Sequence, residues 1–129
     1  MIYLIEDDES VRKALQRLLR SAGLEVKAFA GAEEFLQSGK FIQGACIVVD
    51  IQMQGLTGFD LQEGLLSKKI RIPTIVISAM DDAETRERAR KLGAAAFFRK
   101  PVDGQALIDS IHWAMGVTQN ESYPSDSRF

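Results

Sequence analysis

Along the chain, short apolar runs alternate with longer stretches in which apolar residues recur every three or four positions. Residues 2–5, 45–49 and 74–77 show no polar alternation and are rich in isoleucine and valine, the pattern of strands covered on both faces. Two weaker runs, residues 25–29 and 95–98, complete a set of five. Between them the apolar period is helical. In "ESVRKALQRLLRSAG", Val11, Leu15, Leu18, Leu19 and Ala22 share one face, and Gly23 supplies a stop. In "DGQALIDSIHWAMG", Leu107, Ile108, Ile111, Ala114 and Met115 do the same, with Asp103 as a cap and Gly116 as a stop. Weaker patterns predict helices over residues 32–37 and 59–67. The segment "DDAETRERARKLG" reads differently: Asp81 and Glu84 have capping-box spacing, but Ala83, Ala89 and Leu92 are its only apolar anchors. Its helix, over residues 82–92, is expected to be weakly held.

Strands alternating with helices imply right-handed crossovers and a parallel sheet covered on both faces. The predicted fold is α/β and doubly wound, a flavodoxin-like five-stranded sheet in strand order 2-1-3-4-5 with five helices. One domain over residues 1–116 accounts for the length, and "VTQNESYPSDSRF", residues 117–129, reads as a polar tail or the start of a linker.

Charge and cysteine usage narrow the function classes. With 16 basic and 18 acidic residues the net charge is -2, which gives no general pull toward nucleic acid or anionic membrane. Cys46 is the sole cysteine, so no internal disulfide forms, and "ACIVVD" places it as a small buried apolar side chain. No apolar run reaches the roughly 20 residues of a membrane span, and the start "MIYLIEDD" carries no basic leader. The expectation is a soluble cytoplasmic domain with no membrane association.

In an open parallel sheet, ligands bind beyond the carboxyl ends of the strands where the strand order reverses. Here the first strand ends in Glu6, Asp7 and Asp8, the third in Asp50, the fourth in Ser78 and the fifth in Arg99 and Lys100. An acid after a strand is usually a solvated turn or a helix cap. Unrelated caps, however, have no reason to send carboxylates, a hydroxyl and an ammonium to the same edge. Clustered carboxylates raise one another's pKa unless a cation neutralises them. A hard divalent ion does so, and Mg²⁺, which favours one or two carboxylates plus a phosphoryl group, suits this donor set.

The segments "IEDDESVRKAL", "VVDIQMQGLTGFDL", "VISAM" and "FFRKP", in this order, resemble the receiver domain of bacterial two-component response regulators over about residues 1 to 116. The resemblance implies that Asp50 is a phosphoacceptor, taking a phosphoryl group from the phosphohistidine of a histidine kinase. It further implies Asp7 as a direct Mg²⁺ ligand, Glu6 as a ligand through water, and the backbone carbonyl of Gln52 as a third contribution. Ser78 and Lys100 would each meet a phosphoryl oxygen, Phe97 would be the switching aromatic, and the peptide before Pro101 would be cis. Such a domain takes part in its own phosphorylation and is not a turnover enzyme. The chain departs from the family where Gln54 stands in place of a common proline, which implies a differently shaped loop, and where Glu6 replaces the commoner aspartate.

Phosphorylation is expected to shift the weakly anchored fourth helix and to promote a homodimer through that helix, the fifth strand and the fifth helix. Arg86, Arg88, Arg90 and Lys91 form a basic run that is a solvated face or, if functional, a partner for acids of a second copy. Trp113 and Ala106 are placed on the side of the last helix opposite its core stripe, a candidate contact surface unless the tail, through Val117 or Tyr123, covers it. His112 falls far from the acidic edge and is not a ligand. Receiver domains often continue into a DNA-binding effector that regulates transcription; this domain itself is not expected to bind nucleic acid. A dehalogenase-type phosphatase is disfavoured because Gln52 stands where its second aspartate belongs, and a flavin carrier because acids follow the first strand. The runner-up is a receiver-like interaction module that works without phosphorylation; Ser78 and Lys100 would then have no task.

Overall fold

The computed structural model describes residues 1–116 apart from 40 and 43. The predicted tail and the proposed cover over Trp113 lie outside the described residues. The order is β1 (Ile2–Ile5), α1 (Glu9–Ser21), β2 (Val26–Phe29), α2 (Ala32–Ser38), β3 (Cys46–Asp50), α3 (Gly58–Ser67), β4 (Thr74–Ser78), α4 (Ala83–Lys91), β5 (Ala96–Arg99) and α5 (Gly104–Gly116). The strands form one parallel sheet in the order β2-β1-β3-β4-β5. Relative to the sequence reading, β3 and β4 extend to include Asp50 and Ser78, so both polar residues are themselves strand residues.

Alternate residues of the central strands feed two cores. On one face Tyr3, Ile5, Ile47, Val49 and Val76 pack with Phe35, Leu61 and Leu65 of α2 and α3. On the other, Ile2, Leu4, Cys46, Val48 and Ile75 pack with Leu15 and Leu19 of α1 and Leu107 and Ile111 of α5. Because both faces are covered, a polar residue in either register would be buried, which is why these runs show no alternation. Cys46 is one of the buried residues, and burial pushes its thiol up to about 12, leaving it neutral.

Three expectations need correction. The cap of α4 is Asp82, whose carboxylate accepts the Thr85 N–H at 2.8 Å, while Asp81 is taken up by Arg86. Of the three expected anchors only Ala89 is buried; Leu92 is half-buried and Ala83 is exposed. Trp113 is not directed away from the core: it is half-buried and packs against the cluster that holds α1 to α5, and Ala106 is half-buried as well. The buried arc of α5 is wider than its apolar stripe because Ser110 is also inside, and positions 106 and 113 flank it at helical spacing.

Candidate functional site at the carboxyl edge of the sheet

The three consecutive acids after β1 have three different surroundings. Glu6 continues the strand, with its N–H donated to the Phe29 carbonyl at 3.1 Å, and its side chain is fully buried. Asp7 is exposed. Asp8 caps α1, its carboxylate accepting the Val11 N–H at 3.0 Å. Arg12, one turn into α1, reaches back so that its guanidinium donates to the Glu6 carbonyl at 2.9 Å. The turn between strand and helix is therefore closed by its own side chains, which fixes where Glu6 and Asp7 emerge.

Asp50 ends β3 and is 3% exposed. One carboxylate oxygen accepts the Gln52 N–H at 3.0 Å; the other accepts from Lys100 Nζ at 2.9 Å. The same ammonium lies 2.6 Å from Glu6 Oε1. Strand register explains the reach: Ser78 lies beside Arg99, the Lys100 N–H donates to the Ser78 carbonyl at 2.9 Å, and Asp50 lies beside Ile77. Behind the loop after β3, Gly58 approaches so closely that a Cβ there would sit 2.8 Å from both the Asp50 carbonyl oxygen and the Ile51 Cα. Thr57 starts α3 in a capping box with Asp60, so this close approach is set from the helix end.

One oxygen each from Glu6, Asp7 and Asp50 lie within 4.8 Å of one another. Burial drives Glu6 up from 4.5 to about 7; the neighbouring Asp50 adds to the rise, and Lys100 opposes it. Burial pulls Lys100 down, but the two carboxylates outweigh it and its net direction is up, so it stays charged. A buried carboxyl held near neutrality beside two others is a site short of positive charge. A hard, oxygen-seeking divalent cation fits that donor set, and Glu6, Asp7 and Asp50 are the residues that could hold it.

Ser78 is fully buried at the end of β4, with its hydroxyl oxygen accepting the Met80 N–H at 3.0 Å. Gln52 is exposed. The Lys100–Pro101 peptide is cis. Phe97 is 3% exposed on β5, and the Arg86 guanidinium lies 4.7 Å from its ring centroid while also pairing with Asp81. Arg88 pairs with Glu63 and Arg90 with Glu87, so three arginines of the basic run are engaged within the chain. His112 is exposed on α5 and outside the acidic cluster. Sequence reasoning did not single out Arg12, Gly58 or the backbone amide of Gln54, which donates to Asp7 Oδ2 at 3.2 Å. Gly58, the first residue of α3, falls one position before the helix predicted over residues 59–67, and backbone donors leave no trace in residue identity.

Comparison with known proteins gives one consistent answer. The family described as "Response regulator receiver domain" matches residues 2–112. Nodulation protein W of Bradyrhizobium diazoefficiens is 41% identical over 111 residues, covering 86% of this chain and 49% of that protein. Transcriptional regulatory protein FixJ of Azorhizobium caulinodans is 34% identical over 127 residues, covering 98% of this chain and 60% of that protein. The chain thus spans about half the length of such relatives. Among solved structures, FixJ-N superposes with a TM-score of 0.83 at 32% identity, covering 91% of this chain and 94% of that one. Response regulator StyR gives 0.82 at 41% identity, covering 88% of this chain and 58% of that one.

Proposed function

Because this chain belongs to the response regulator receiver family, we propose that it is the phosphoacceptor module of a bacterial two-component system, with Asp50 the residue modified. The observation that carries the reading is the position of Lys100 Nζ, in contact with Asp50 and Glu6 at once, beside an oxygen cluster completed by Asp7.

In this mechanism a carboxylate oxygen of Asp50 attacks the phosphorus of a kinase phosphohistidine. The P–N bond breaks with its electron pair leaving on the imidazole, and an acyl phosphate forms. Asp7 and Asp50 would hold Mg²⁺, with Glu6 acting through water and the Gln52 carbonyl completing the protein's share. When bound, the ion offsets the charge of the phosphoryl oxygens. The Gln52 N–H, bonded to Asp50, holds the nucleophile's orientation. Lys100 moves from carboxylate to phosphoryl oxygen without leaving the cluster, so its charge is in place beforehand. Ser78 keeps a hydroxyl proton to donate, since its oxygen here acts as acceptor.

Output passes to a partner surface built from α4, β5 and α5, with Phe97 as the switching side chain. The engagement of Arg86, Arg88 and Arg90 within the chain means that dimerisation through them would require exchange of those partners. Sedimentation of the phosphorylated and unmodified forms tests this; a monomer in both would exclude the dimer. The names of the relatives support a transcriptional output through an effector region. A cytoplasmic setting is proposed from the family alone; among the described residues no helix is long and apolar enough to cross a membrane. The central test is incubation with Mg²⁺ and acetyl phosphate followed by mass spectrometry. Wild type should gain one phosphoryl group and Asp50→Asn none; modification of the Asn variant to the same extent would reject Asp50 as the acceptor.

A further inference from the structure

The loop between β3 and α3 touches the acidic cluster through a donor that the mechanism above does not use. The Gln54 N–H donates to Asp7 Oδ2 at 3.2 Å. Two residues on, the Leu56 N–H donates to Glu33 Oε1 of α2, also at 3.2 Å. Between them Gly55 has φ +78°, and a Cβ there would come within 2.5 Å of the same glutamate oxygen. Glycine is therefore favoured on conformational grounds, and a side chain there would displace the Glu33 carboxylate. Two amides of one tight loop are held by carboxylates from two different elements, so the Gln54 donor has a defined position.

Asp7 is the member of the cluster that needs such help. Glu6 and Asp50 are enclosed and paired with Lys100, whereas Asp7 is exposed. Among the described residues the Gln54 amide is the hydrogen-bond donor to its carboxylate. A solvated carboxylate must give up rotamer freedom when it ligates, and a donor that already holds one oxygen lowers that cost while leaving the other for the ion. At 3.2 Å the bond is long and withdraws little charge from the ligand. A proline at this position, as in the family pattern noted above, would have no N–H to offer.

We propose that the Gln54 backbone N–H is a positioning group for the divalent ion, orienting Asp7 for coordination. This rests on the metal-dependent reading of the site, and the test separates the two. MgCl₂ is titrated calorimetrically into wild type, Asp7→Asn, Gln54→Ala and Gln54→Pro. Gln54→Ala keeps the donor and should retain the wild-type dissociation constant. Gln54→Pro removes it and should bind about 10-fold more weakly, as expected for loss of an outer partner of a metal ligand. Should far-UV circular dichroism show that the proline variant misfolds, the amide-to-ester analogue at position 54 deletes the same N–H with the side chain intact, and carries the same expectation. Equal affinity of wild type and the donor-less variant overturns the proposal. So does a loss in Gln54→Ala as large as in Gln54→Pro, which would place the effect in the side chain. Absence of Mg²⁺ binding by wild type refutes the metal site itself and the inference with it.

Discussion

Replacing Lys100 by methionine keeps most of the aliphatic stem and deletes a charge that faces two buried carboxylates, Glu6 at 2.6 Å and Asp50 at 2.9 Å. Asp50 retains the Gln52 N–H and Glu6 the Asp8 N–H at 3.2 Å, so neither is stripped of every donor. Removing one member of a buried ion pair ordinarily costs about 3–5 kcal/mol. Here Glu6 has a second route, because it can take up a proton at about 1.4 kcal/mol for each pH unit above its native pKa. With Lys100 present that pKa is already about 7. Near about pH 6 Glu6 is therefore mostly protonated in wild type too, and the substitution should cost under about 1 kcal/mol. Near about pH 8.5 wild type holds an ionised Glu6 against Lys100, while the variant must retain the proton over about 1.5 further units, a loss of about 2 kcal/mol.

Urea denaturation without Mg²⁺ at the two pH values measures both figures. With a slope of roughly 1.5–2 kcal/mol/M for a chain of this size, the alkaline midpoint should fall by roughly 1 M and the acidic one by less than half of that. In a Glu6→Gln background the alkaline loss should shrink, since no second carboxylate is left to protonate. A loss of equal size at both pH values, or one that survives Glu6→Gln unchanged, would refute the view that Lys100 acts by holding Glu6 ionised.

Other outcomes follow from the same structure. Glu6 has a folded pKa raised from 4.5 to about 7, so the folded state binds the extra proton in that window. Stability without metal should then fall as pH rises from 4.5 to about 7 and level off above, and Glu6→Gln should flatten the thermal-melt profile; a rise over this range would contradict the assignment. Thr57→Ala breaks the capping box of α3 and should cost about 1 kcal/mol in chemical denaturation, with less than about 0.3 kcal/mol arguing against the box. Leu19→Ala empties a fully buried site between α1 and α5 and should cost about 3–5 kcal/mol. Gln62 is 1% exposed, donates to the Ala89 carbonyl at 3.1 Å and has Oε1 without a partner among the described residues. Gln62→Leu gives up one bond worth about 1 kcal/mol and an orphan acceptor costing about 1–3, so it should be neutral to mildly stabilising; a clear destabilisation in urea would refute this balance.

The sheet was legible because each central strand is buried on both faces, leaving runs such as "IYLI" and "TIVIS" that no surface element would carry. The site was legible for a related reason: a polar residue ending such a run must be compensated, and Glu6, Asp50, Ser78 and Lys100 all stand at that boundary. What the sequence hid lies in contacts that residue identity does not encode. The Gln54 amide and the Glu6 carbonyl held by Arg12 are backbone groups, which every residue type but proline can supply in full. Trp113 was misplaced because a stripe drawn through apolar residues omits Ser110, a buried polar residue on the same face. The cap of α4 was misplaced by one position because two adjacent aspartates offer the same chemistry, and only Arg86, which engages Asp81, separates them.

That misreading of α4 bears on how the domain can switch. Counting apolar anchors gave a loosely held helix, and Ala89 is indeed its only buried residue. Yet the helix is tied down by polar contacts: Gln62 to the Ala89 carbonyl, Arg88 to Glu63 and over Phe59 at 4.2 Å, and Arg86 to Asp81 and over Phe97. Exposed ion pairs of this kind contribute about 0–1 kcal/mol each, and cation–π contacts at exposed sites about 0.5–1. Each can be broken and remade at small cost, whereas a stripe of leucines would resist any shift by several kcal/mol per side chain. Arg86 joins the loop after Ser78 to the ring of Phe97, so displacement of that loop toward a modified Asp50 would pull on the cation covering the aromatic. A helix held in this way has a defined resting position and a low barrier to leaving it, as the switching surface proposed for α4, β5 and α5 requires.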